Sequence, residues 1–303
     1  MGDRIAVTGA NGFVGRHVVL AARARGWDVA GIVRSETGAR VVREAGAEPA
    51  VLPRWDKEPL ARALGGARAV VHLAQIGAER DGATYEEVNV GGMRSLLEAA
   101  RGAGVRRIVY FSGLGVARYG MSGRCTKAYF LSKLTCEVEL HRSGLEAVAF
   151  RPSYLVGPGD ALTLALLREM ASGEVEQPGD GSYRLQPVDV ADAADLVLAS
   201  LDRPATPAVF DLVGPEPLTY QQLLDRLAGV ARGLGKPVEF RIRELAIEEV
   251  DRRAAAGGYR GMQPDEVDCL LCDEVSDPRP LEVLLGRPLT SLDVALARAV
   301  RAA

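Results

Sequence analysis

The sequence predicts an α/β protein built on a doubly wound parallel sheet, with a smaller, discontinuous lobe formed mainly by the second half of the chain. Three observations predict this fold. The chain begins with a short apolar run that leads through a glycine-rich turn into a helix. Apolar runs then alternate with helical patterns through about residue 150, which is typical of βαβ units. These runs lack polar alternation, as expected of strands covered by helices on both faces.

The turn after the first predicted strand, residues 5–7, has glycines at a spacing of three. Gly9 permits a tight turn, Gly12 lets the backbone approach a pyrophosphate, and Gly15 lets the following helix, residues 13–25, lie close to the strand. The first N–H groups of that helix attract phosphate. A strand, a turn of this spacing and a helix in this order predict a dinucleotide-binding site.

The end of the second predicted strand, residues 28–33, distinguishes two cofactors. In proteins that bind NAD, an acidic residue at this place usually accepts hydrogen bonds from the adenosine ribose. This chain has Arg34 there, and a guanidinium pairs well with a 2′-phosphate. We therefore expect NADP(H), with NAD(H) as the alternative if Arg34 is only a solvated surface side chain.

The remaining elements follow the same alternation, and the pattern changes after Pro152. Strands are predicted at residues 49–52, 69–73, 107–111, 145–150, 209–213 and 238–242, and helices at residues 60–64, 86–103, 129–143, 161–171, 190–201 and 218–234. We expect a dinucleotide-binding domain of residues 1–153, with returning segments at about 186–214. Residues 154–185 and 215–303 are expected to form a small substrate-binding lobe over the carboxyl edge of the sheet, where ligands bind in such folds.

Composition and charge argue against several classes of protein. The net charge of -3 over 303 residues provides no basic field that would attract nucleic acid. No apolar run approaches the roughly 20 residues that a membrane-spanning helix needs. Because the first strand starts almost at residue 1, we expect no signal peptide and a cytoplasmic location. The expected partner is a small-molecule substrate.

The cysteines and histidines predict neither disulfides nor a metal site. The chain has four cysteines and three scattered histidines, which fits a reduced compartment. Cys269 and Cys272 form a C-x-x-C within DEVDCLLCDEV, a stretch with an amphipathic helical pattern. Packed thiols are therefore expected there, rather than metal or redox chemistry.

Tyr129 and Lys133 are the strongest candidates for catalysis. They are four residues apart on a predicted helix and therefore share one face. Of the eight tyrosines, this is the only one with a lysine at that spacing. A nearby ammonium favours the phenolate, so we expect the pKa of Tyr129 to lie below its ordinary value of about 10. The phenol would then act as an acid or base near neutral pH; an exposed surface pair is the alternative.

Two weaker candidates accompany this pair. Ser112 follows the predicted strand at 107–111, where a hydroxyl could hold the oxygen of a substrate, although a serine beside a glycine is often only a turn residue. Asn89 lies inside a predicted helix, where an amide is a mild misfit and could order a water molecule. Together with Tyr129 and Lys133, the two form a consistent set.

These motifs resemble those of the short-chain dehydrogenase/reductase superfamily, in its extended or atypical NAD-dependent epimerase/dehydratase branch. The matching pieces are TGANGFVG, HLA at 72–74, EEVNVGG around Asn89, YFSG, Y-x-x-x-K and FRPSYLVGPG at 150–159. The resemblance implies that Tyr129 is the general acid/base and that Lys133 lowers its pKa and holds the nicotinamide ribose. It also implies that Ser112 orients the reacting C–O group and that Asn89 supports a proton-relay water.

The same resemblance implies the remaining cofactor contacts. These are expected at the positions of the matched motifs, in the glycine-rich turn, after the fourth strand and beside the nicotinamide: Gly9, Asn11, Gly12, Phe13, Val14, Gly15, Leu73, Ala74, Pro152 and Ser153. One departure concerns the adenine. The family usually has Gly-Asp after the third strand, whereas this chain has Leu-Pro-Arg-Trp-Asp, so that Asp56 would have to act from a shifted position.

The carboxyl-terminal stretch, residues 262–300, resembles the tail of the branch similar to the nucleotide-binding accessory subunit of respiratory complex I. This resemblance leaves two hypotheses open. The complete set of four catalytic residue types favours an oxidoreductase that moves hydride between NADP(H) and a carbonyl or alcohol. The tail favours a protein that binds NADPH without turnover, in a structural, assembly or redox-sensing role. A homodimer or association with a larger complex is expected.

Overall fold

A computed structural model of the chain describes residues 3–203, 208–236 and 238–303. The strands within these ranges are β1 (Arg4–Thr8), β2 (Asp28–Val33), β3 (Glu48–Val51), β4 (Ala69–His72), β5 (Arg107–Phe111), β6 (Glu146–Pro152), β7 (Leu155–Val156), β8 (Glu174–Pro178), β9 (Arg184–Leu185), β10 (Val188–Asp189), β11 (Ala208–Leu212), β12 (Leu218–Thr219) and β13 (Arg241–Leu245).

The helices alternate with these strands from β1 to β6, and four helices follow one another at the end of the described chain. They are α1 (Phe13–Ala24), α2 (Glu36–Glu44), α3 (Lys57–Ala63), α4 (Gly92–Gly102), α5 (Ala128–Arg142), α6 (Ala161–Ser172), α7 (Val190–Leu201), α8 (Tyr220–Gly233), α9 (Ile247–Ala255), α10 (Pro264–Leu271), α11 (Arg279–Leu285) and α12 (Leu292–Ala302). Short 3₁₀ helices occupy Leu114–Arg118 and Arg124–Thr126, and a π-helical turn, Glu86–Gly91, leads into α4.

Seven strands form one parallel sheet in the order β3-β2-β1-β4-β5-β6-β11. The chain builds outward from β1 in one direction and then, from β4, in the other. A crevice forms between the carboxyl ends of β1 and β4, where this reversal occurs. The doubly wound parallel sheet predicted from the sequence is confirmed.

Helices cover both faces of the sheet. Buried side chains of α1, α2, α7 and α11 pack on one face, and those of α3, α4 and α5 pack on the other. Strands enclosed in this way need apolar residues at successive positions, which is why β1, β4 and β5 are almost entirely buried.

The second half of the chain builds most of a separate layer. A further core joins α6, α8 and α12, and a small cluster joins α9 and α10. These elements lie after Pro152. Residues of α11, within the segment 215–303, instead pack on the sheet with α7 through Leu281 and Leu284. The chain therefore returns to the sheet between α10 and α12.

Several predicted elements differ from those observed. The helix α2 and the strand β8 were not predicted, and the strand predicted at 238–242 lies at Arg241–Leu245, where it pairs with β8. The helix predicted at 86–103 begins with the π-helical turn. Among the described strands, β8 and β13 pair only with each other. Each is short, and a short strand carries no periodic pattern strong enough to predict its position from the sequence.

Within the described ranges, no helix is both long enough and apolar enough to cross a membrane.

The outer face of α5 carries exposed apolar side chains. Leu131 and Val138 are exposed and seven residues apart, so they lie on the same outer face of the helix.

Candidate active site

The glycine-rich turn between β1 and α1 forms a cradle into which side chains would not fit. Gly9 has a positive φ of 67°, and a Cβ built on it would lie 3.0 Å from the backbone of Leu73 and Ala74. A Cβ on Gly15 would lie 2.2 Å from the carbonyl oxygen of Gly9. The tight turn and the close seat of α1 therefore both require glycine. A Cβ on Gly12 would be less crowded, 3.2 Å from that same oxygen.

Hydrogen bonds join this turn to the end of β4. The Thr8 hydroxyl oxygen accepts from the backbone N–H groups of Leu73 and Ala74, each at 3.1 Å. Its own proton is therefore available to His72 Nδ1, at 2.8 Å. Burial, together with Lys133, lowers the pKa of His72 to about 3. A neutral imidazole accepts this hydrogen bond, which holds the two strand ends of the crevice together.

The adenosine side of the crevice carries an unengaged cation. Arg34 follows β2 directly and is exposed. It forms no side-chain hydrogen bond or ion pair with any residue that the structure describes. Ser35 beside it caps α2 by accepting from the Gly38 N–H at 3.2 Å. Asn11 lies close by, because its side-chain amide would be 3.1 Å from a Cβ on Gly38. Asp56 is exposed at the start of α3.

Phe13 and Val14 begin α1 at the mouth of the crevice. Phe13 packs edge-on against His17, whose Nε2 lies 3.1 Å from the carbonyl oxygen of Pro158. Val14 is half-buried and packs against the core on that face of the sheet. The amino terminus of α1 is thereby tied to the loop that follows β7, within the motif around residues 150–159.

Tyr129 and Lys133 share one face of α5, as the sequence predicts. The Lys133 ammonium is fully buried and lies 5.7 Å from the centre of the Tyr129 ring. It donates to the Phe111 carbonyl oxygen at 2.7 Å and to the side chain of Gln75. Lys133 thus connects α5 to the ends of β4 and β5.

The expected lowering of the Tyr129 pKa is not observed. Burial raises the pKa of Tyr129 well above its ordinary value, and Cys269, Glu274 and the neighbouring acids Glu266 and Asp265 add to the effect. Burial also lowers the pKa of Lys133 to about 7, so the lysine carries only part of a charge near neutral pH. The prediction was wrong because it assumed a fully charged ammonium. The desolvated Lys133 is charged only in part, so its attraction for a phenolate does not offset the cost of burying that phenolate. A neutral Tyr129 is a proton donor.

Asn89 lies in the π-helical turn, and its side chain is fully engaged. Its amide oxygen accepts from the Ile76 N–H at 2.9 Å, and its amide nitrogen donates to the Ile76 carbonyl and to Ser132 Oγ. Asn89 therefore holds the loop after β4 against α5. Its role in supporting a proton-relay water stays a prediction.

Ser112 is buried behind the site. Its hydroxyl forms no hydrogen bond with any described residue, and the neighbouring Gly113 contributes to the cavity wall in its place. The role of Ser112 in orienting a C–O group stays a prediction. Pro152 and Ser153, by contrast, line the same cavity as Tyr129.

This cavity has a volume of about 350 Å³ and lies between the sheet and the second-half layer. Its walls are mainly apolar, as expected of a small-molecule site. The apolar side chains include Phe130, Leu162, Ala165, Leu185, Met262 and Leu270. Glu266, Glu274, Arg260 and Cys269 also reach the wall.

Arginines near the cavity are already paired. The Arg260 guanidinium binds both carboxylate oxygens of Glu169 and donates to Tyr220 Oη. Among the described residues, Arg241 and Arg243 pair with Glu174 at the surface and do not line the cavity. The described lining therefore offers no free cation for a diphosphate.

The thiols of the carboxyl-terminal C-x-x-C lie near the site. Cys269 is part of α10, and Cys272, which caps this helix, lies with its Sγ 3.1 Å from Cys125 Sγ in a buried cluster with Phe130. Burial raises the pKa of Cys269 and Cys272 above the ordinary thiol value. Burial and raised pKa are the features of packed structural thiols, which the sequence predicts here.

Four residues of the crevice and the cavity were not recognised from the sequence as parts of the site. Thr8 and His72 belong to quoted motifs but were not assigned roles. Gln75 and Glu274 carry no motif, and Glu274 is brought to the cavity only by the path of the chain after α10. No local pattern could have identified it.

Comparison with known proteins adds to this geometry. Residues 5–212 match the model of the NAD dependent epimerase/dehydratase family. The chain is similar to a ceramide reductase of Caulobacter vibrioides, with 31% identity over 195 residues that cover 64% of this chain and 60% of that protein. It is also similar to a 2-alkyl-3-oxoalkanoate reductase of Stenotrophomonas maltophilia, with 27% identity over 263 residues that cover 78% of this chain and 79% of that protein. The chain thus spans less than two thirds of the length of the ceramide reductase.

Among solved structures, the fold is similar to that of a UDP-glucose 4-epimerase of Thermus thermophilus in complex with NAD. The TM-score is 0.77 at 24% identity, over 99% of this chain and 98% of the other. At this level of identity, the likeness concerns the fold.

Proposed function

Because the chain belongs to the NAD-dependent epimerase/dehydratase family, we propose that it is an NAD(P)-dependent oxidoreductase that reduces a carbonyl group of a small organic substrate. The observation that carries this proposal is the position of Tyr129. It lines the cavity at the carboxyl edge of the sheet, and the Lys133 ammonium lies 5.7 Å from the centre of its ring. Both curated relatives described above are named as reductases, which supports the same direction.

The glycine cradle fits a dinucleotide. Gly9 and Gly15 leave room that a Cβ would fill, and the free N–H groups at the start of α1 suit a pyrophosphate. When bound, the cofactor supplies the hydride. Leu73, Ala74, Pro152 and Ser153 are proposed to lie along it, and Lys133 to hold the nicotinamide ribose. The Lys133 ammonium has three donors, two of which bind Phe111 and Gln75, so one remains for that contact.

Tyr129 is proposed to supply the proton. Because burial keeps its phenol protonated, the hydroxyl donates to the substrate oxygen as negative charge develops there. The apolar walls of the cavity exclude water from this transfer. The protonated phenol is the form that carbonyl reduction needs at its start, whereas alcohol oxidation starts from the phenolate.

A small apolar carbonyl compound fits the cavity better than a nucleotide sugar. The volume of about 350 Å³ lies near the low end of small-molecule sites, which hold roughly 300–1,000 Å³. The pairing of Arg260 with Glu169 leaves no described cation for a diphosphate. A substrate with an aliphatic chain would instead contact Leu162, Leu185 and Leu270.

The first prediction tests turnover. We expect the wild-type protein to oxidise NADPH in the presence of decan-2-one and the Tyr129→Phe variant to lose about 10²–10⁴-fold in kcat, the usual contribution of a general acid. The measurement is NADPH absorbance, with cofactor binding followed by calorimetry. Tyr183→Phe is the matched control, because that hydroxyl has no partner among the described residues and does not line the cavity.

An unchanged rate in Tyr129→Phe would contradict the assignment of the proton donor. Binding of NADPH without reduction of any ketone in a panel of apolar carbonyl compounds would instead favour the second hypothesis, a protein that binds NADPH without turnover. The photosystem II assembly factor of Guillardia theta, which is 28% identical over 238 residues, keeps that hypothesis open.

The second prediction concerns the cofactor. We propose NADP(H) as the preferred form, because the exposed Arg34 forms no ion pair within the described part of the chain. Arg34→Ala should weaken NADPH binding by about tenfold, the effect of one charge-assisted contact, and leave NADH binding unchanged. Arg40→Ala, also exposed, on α2, is the matched control. Tighter binding of NADH than NADPH by the wild-type protein would overturn the preference.

The oligomeric state and location stay predictions. The exposed Leu131 and Val138 on α5 support pairing of two copies of the chain, and association with a larger complex is the alternative. The cytoplasmic location and the narrower likeness to the complex I subunit rest on the sequence.

A further inference from the structure

Glu274 is a buried carboxyl group in the cavity wall that the proposed mechanism does not use. We propose that Glu274 selects the substrate by hydrogen bonding a hydroxyl group that the substrate carries in addition to its reacting carbonyl. This inference rests on the proposed function, because it takes the cavity to be the substrate site. The predicted substrate class is thus an apolar hydroxyketone.

The position of Glu274 is set by its backbone. Its N–H donates to the Arg184 carbonyl oxygen at 2.9 Å, and its carbonyl oxygen accepts from Ser153 Oγ at 3.3 Å. These contacts hold the segment after α10 between β9 and the end of β6. The side chain lines the same cavity as Tyr129, and the residue is only 8% exposed.

The other charged groups of the cavity wall are engaged with protein partners. Arg260 is paired with Glu169, and Glu266 with Arg80. Glu274 forms no ion pair with any residue in the described ranges; Arg118 acts on its carboxyl group through charge alone, and the Ser153 side chain is a hydrogen-bonding neighbour of that group. A carboxyl group can make more hydrogen bonds than this one neighbour supplies, and buried polar groups are almost always hydrogen-bonded, so the Glu274 carboxyl group can also bind a ligand in the cavity.

The protonation state of this carboxyl favours a neutral partner. Burial raises the pKa of Glu274 to about 8, although Ser153 and Arg118 act in the opposite direction. Near neutral pH the group is therefore mainly a carboxylic acid, with one O–H donor and a carbonyl acceptor. A hydroxyl group, which donates and accepts, complements both. A substrate ammonium would need the ionised form, which the apolar surroundings disfavour.

The expected preference for a ketone with the extra hydroxyl group over one without it corresponds to one buried hydrogen bond. Matched ketones that differ only by a hydroxyl group, decan-2-one and 4-hydroxydecan-2-one, are suitable probes. For the wild-type protein with NADPH, kcat/KM should be about tenfold higher for the hydroxyketone. In Glu274→Leu the ratio should fall to about one. Glu274→Gln, whose amide also donates and accepts, should keep most of the preference.

A binding experiment separates this inference from the proposed function. Calorimetry measures the dissociation constants of decan-1-ol and decane-1,3-diol for the protein with NADPH, the cofactor form that cannot oxidise an alcohol, so binding is measured without turnover. Wild type and Glu274→Gln should bind the diol more tightly by about tenfold, and Glu274→Leu should bind both alcohols alike. Glu98→Gln, at an exposed site on α4, is the matched control, and melting temperatures check that each variant folds.

Each outcome has a distinct meaning. If no ketone is reduced but the diol preference depends on Glu274, the proposed reduction fails and the recognition role stands. If ketones are reduced but the two alcohols bind equally well to the wild-type protein, the role of Glu274 is overturned. A preference for 4-aminodecan-2-one over the hydroxyketone would also overturn it, because the carboxyl would then be a cation site.

Discussion

At the scale of single residues, burial decides the protonation states of the site. Lys133 has no exposed surface, and its pKa falls to about 7. The Tyr129 pKa rises for the same reason, although a Y-x-x-x-K spacing suggests the opposite. Spacing along a helix shows which side chains are neighbours. It does not show how much water surrounds them, and desolvation is the larger effect here.

The third prediction follows from the Lys133 pKa. The unfolded chain keeps a value near 10.5, so between pH 7 and pH 10.5 the unfolded state binds a proton that the folded state does not. The free energy of unfolding of the wild-type protein should therefore rise with pH relative to Lys133→Met, by up to about 1.4 kcal/mol per pH unit. Below pH 7 both states are protonated and the full cost of burial remains.

Urea denaturation of wild type and Lys133→Met at pH 7, 8 and 9 measures this difference. Lys57→Met, which removes an exposed ammonium paired with Glu98, is the control and should show no such trend. Parallel pH dependences for wild type and Lys133→Met would mean that the lysine is not desolvated in the folded protein.

At the scale of elements, the seat of α1 on β1 is the contact that makes the cofactor cradle. The Gly9 carbonyl oxygen lies where a Cβ of residue 15 would be. The atoms that this Cβ would meet, the Gly9 carbonyl oxygen and the Ala10 Cα and carbonyl carbon, all belong to backbone, so none can turn aside as a side chain could. The helix must therefore move away from the strand if a larger residue is introduced.

The fourth prediction compares two glycines within helices. Gly15→Ala should lower the free energy of unfolding by about 1–3 kcal/mol, as overpacking does, and should weaken NADPH binding. Gly229→Ala, on the exposed side of α8, places its new Cβ within 4 Å of nothing in the described part of the chain, so it should raise stability by up to about 1 kcal/mol. Urea denaturation of both variants checks this. Equal stability of the two would contradict the model of a closely seated helix.

At the scale of the whole molecule, ion pairs close the second-half layer over the cavity. Arg124, in the connection before α5, contacts Asp251 on α9 and Asp268 on α10. Arg80, in the loop after β4, contacts Glu266 on α10. Tyr85 donates to Asp265 on the same helix at 2.7 Å. The cavity wall that contains Cys269 and Leu270 is therefore held from the sheet side.

The fifth prediction tests this closure. Arg124→Met leaves the buried Asp268 carboxylate without its cation, which should cost about 1–3 kcal/mol of stability at pH 7. Burial already raises the pKa of Asp268, and Arg124 opposes this. Without the arginine the carboxyl should take up a proton more readily, so the loss of stability should be smaller at pH 5. Thermal denaturation at both pH values is the measurement.

Arg241→Met is the matched control for that experiment, because Arg241 is 81% exposed and pairs with Glu174 on the surface. We expect no measurable change in its melting temperature. A loss at pH 5 as large as at pH 7 for Arg124→Met would show that the arginine contributes through packing of its alkyl chain rather than through its charge.

The doubly wound sheet, the glycine cradle and the family can be predicted from the sequence alone. These depend on residues close together along the chain, Gly9 to Gly15 and Tyr129 to Lys133, whose periodicity and spacing are visible directly. Three other features depend on how the folded chain packs: the raised pKa of Tyr129, the hydrogen bonds of Asn89 with Ile76, and the presence of Glu274 in the cavity wall. Each of these features depends on segments that are far apart in the sequence. The packing of those segments sets burial and hydrogen bonding, and no local sequence pattern predicts that packing.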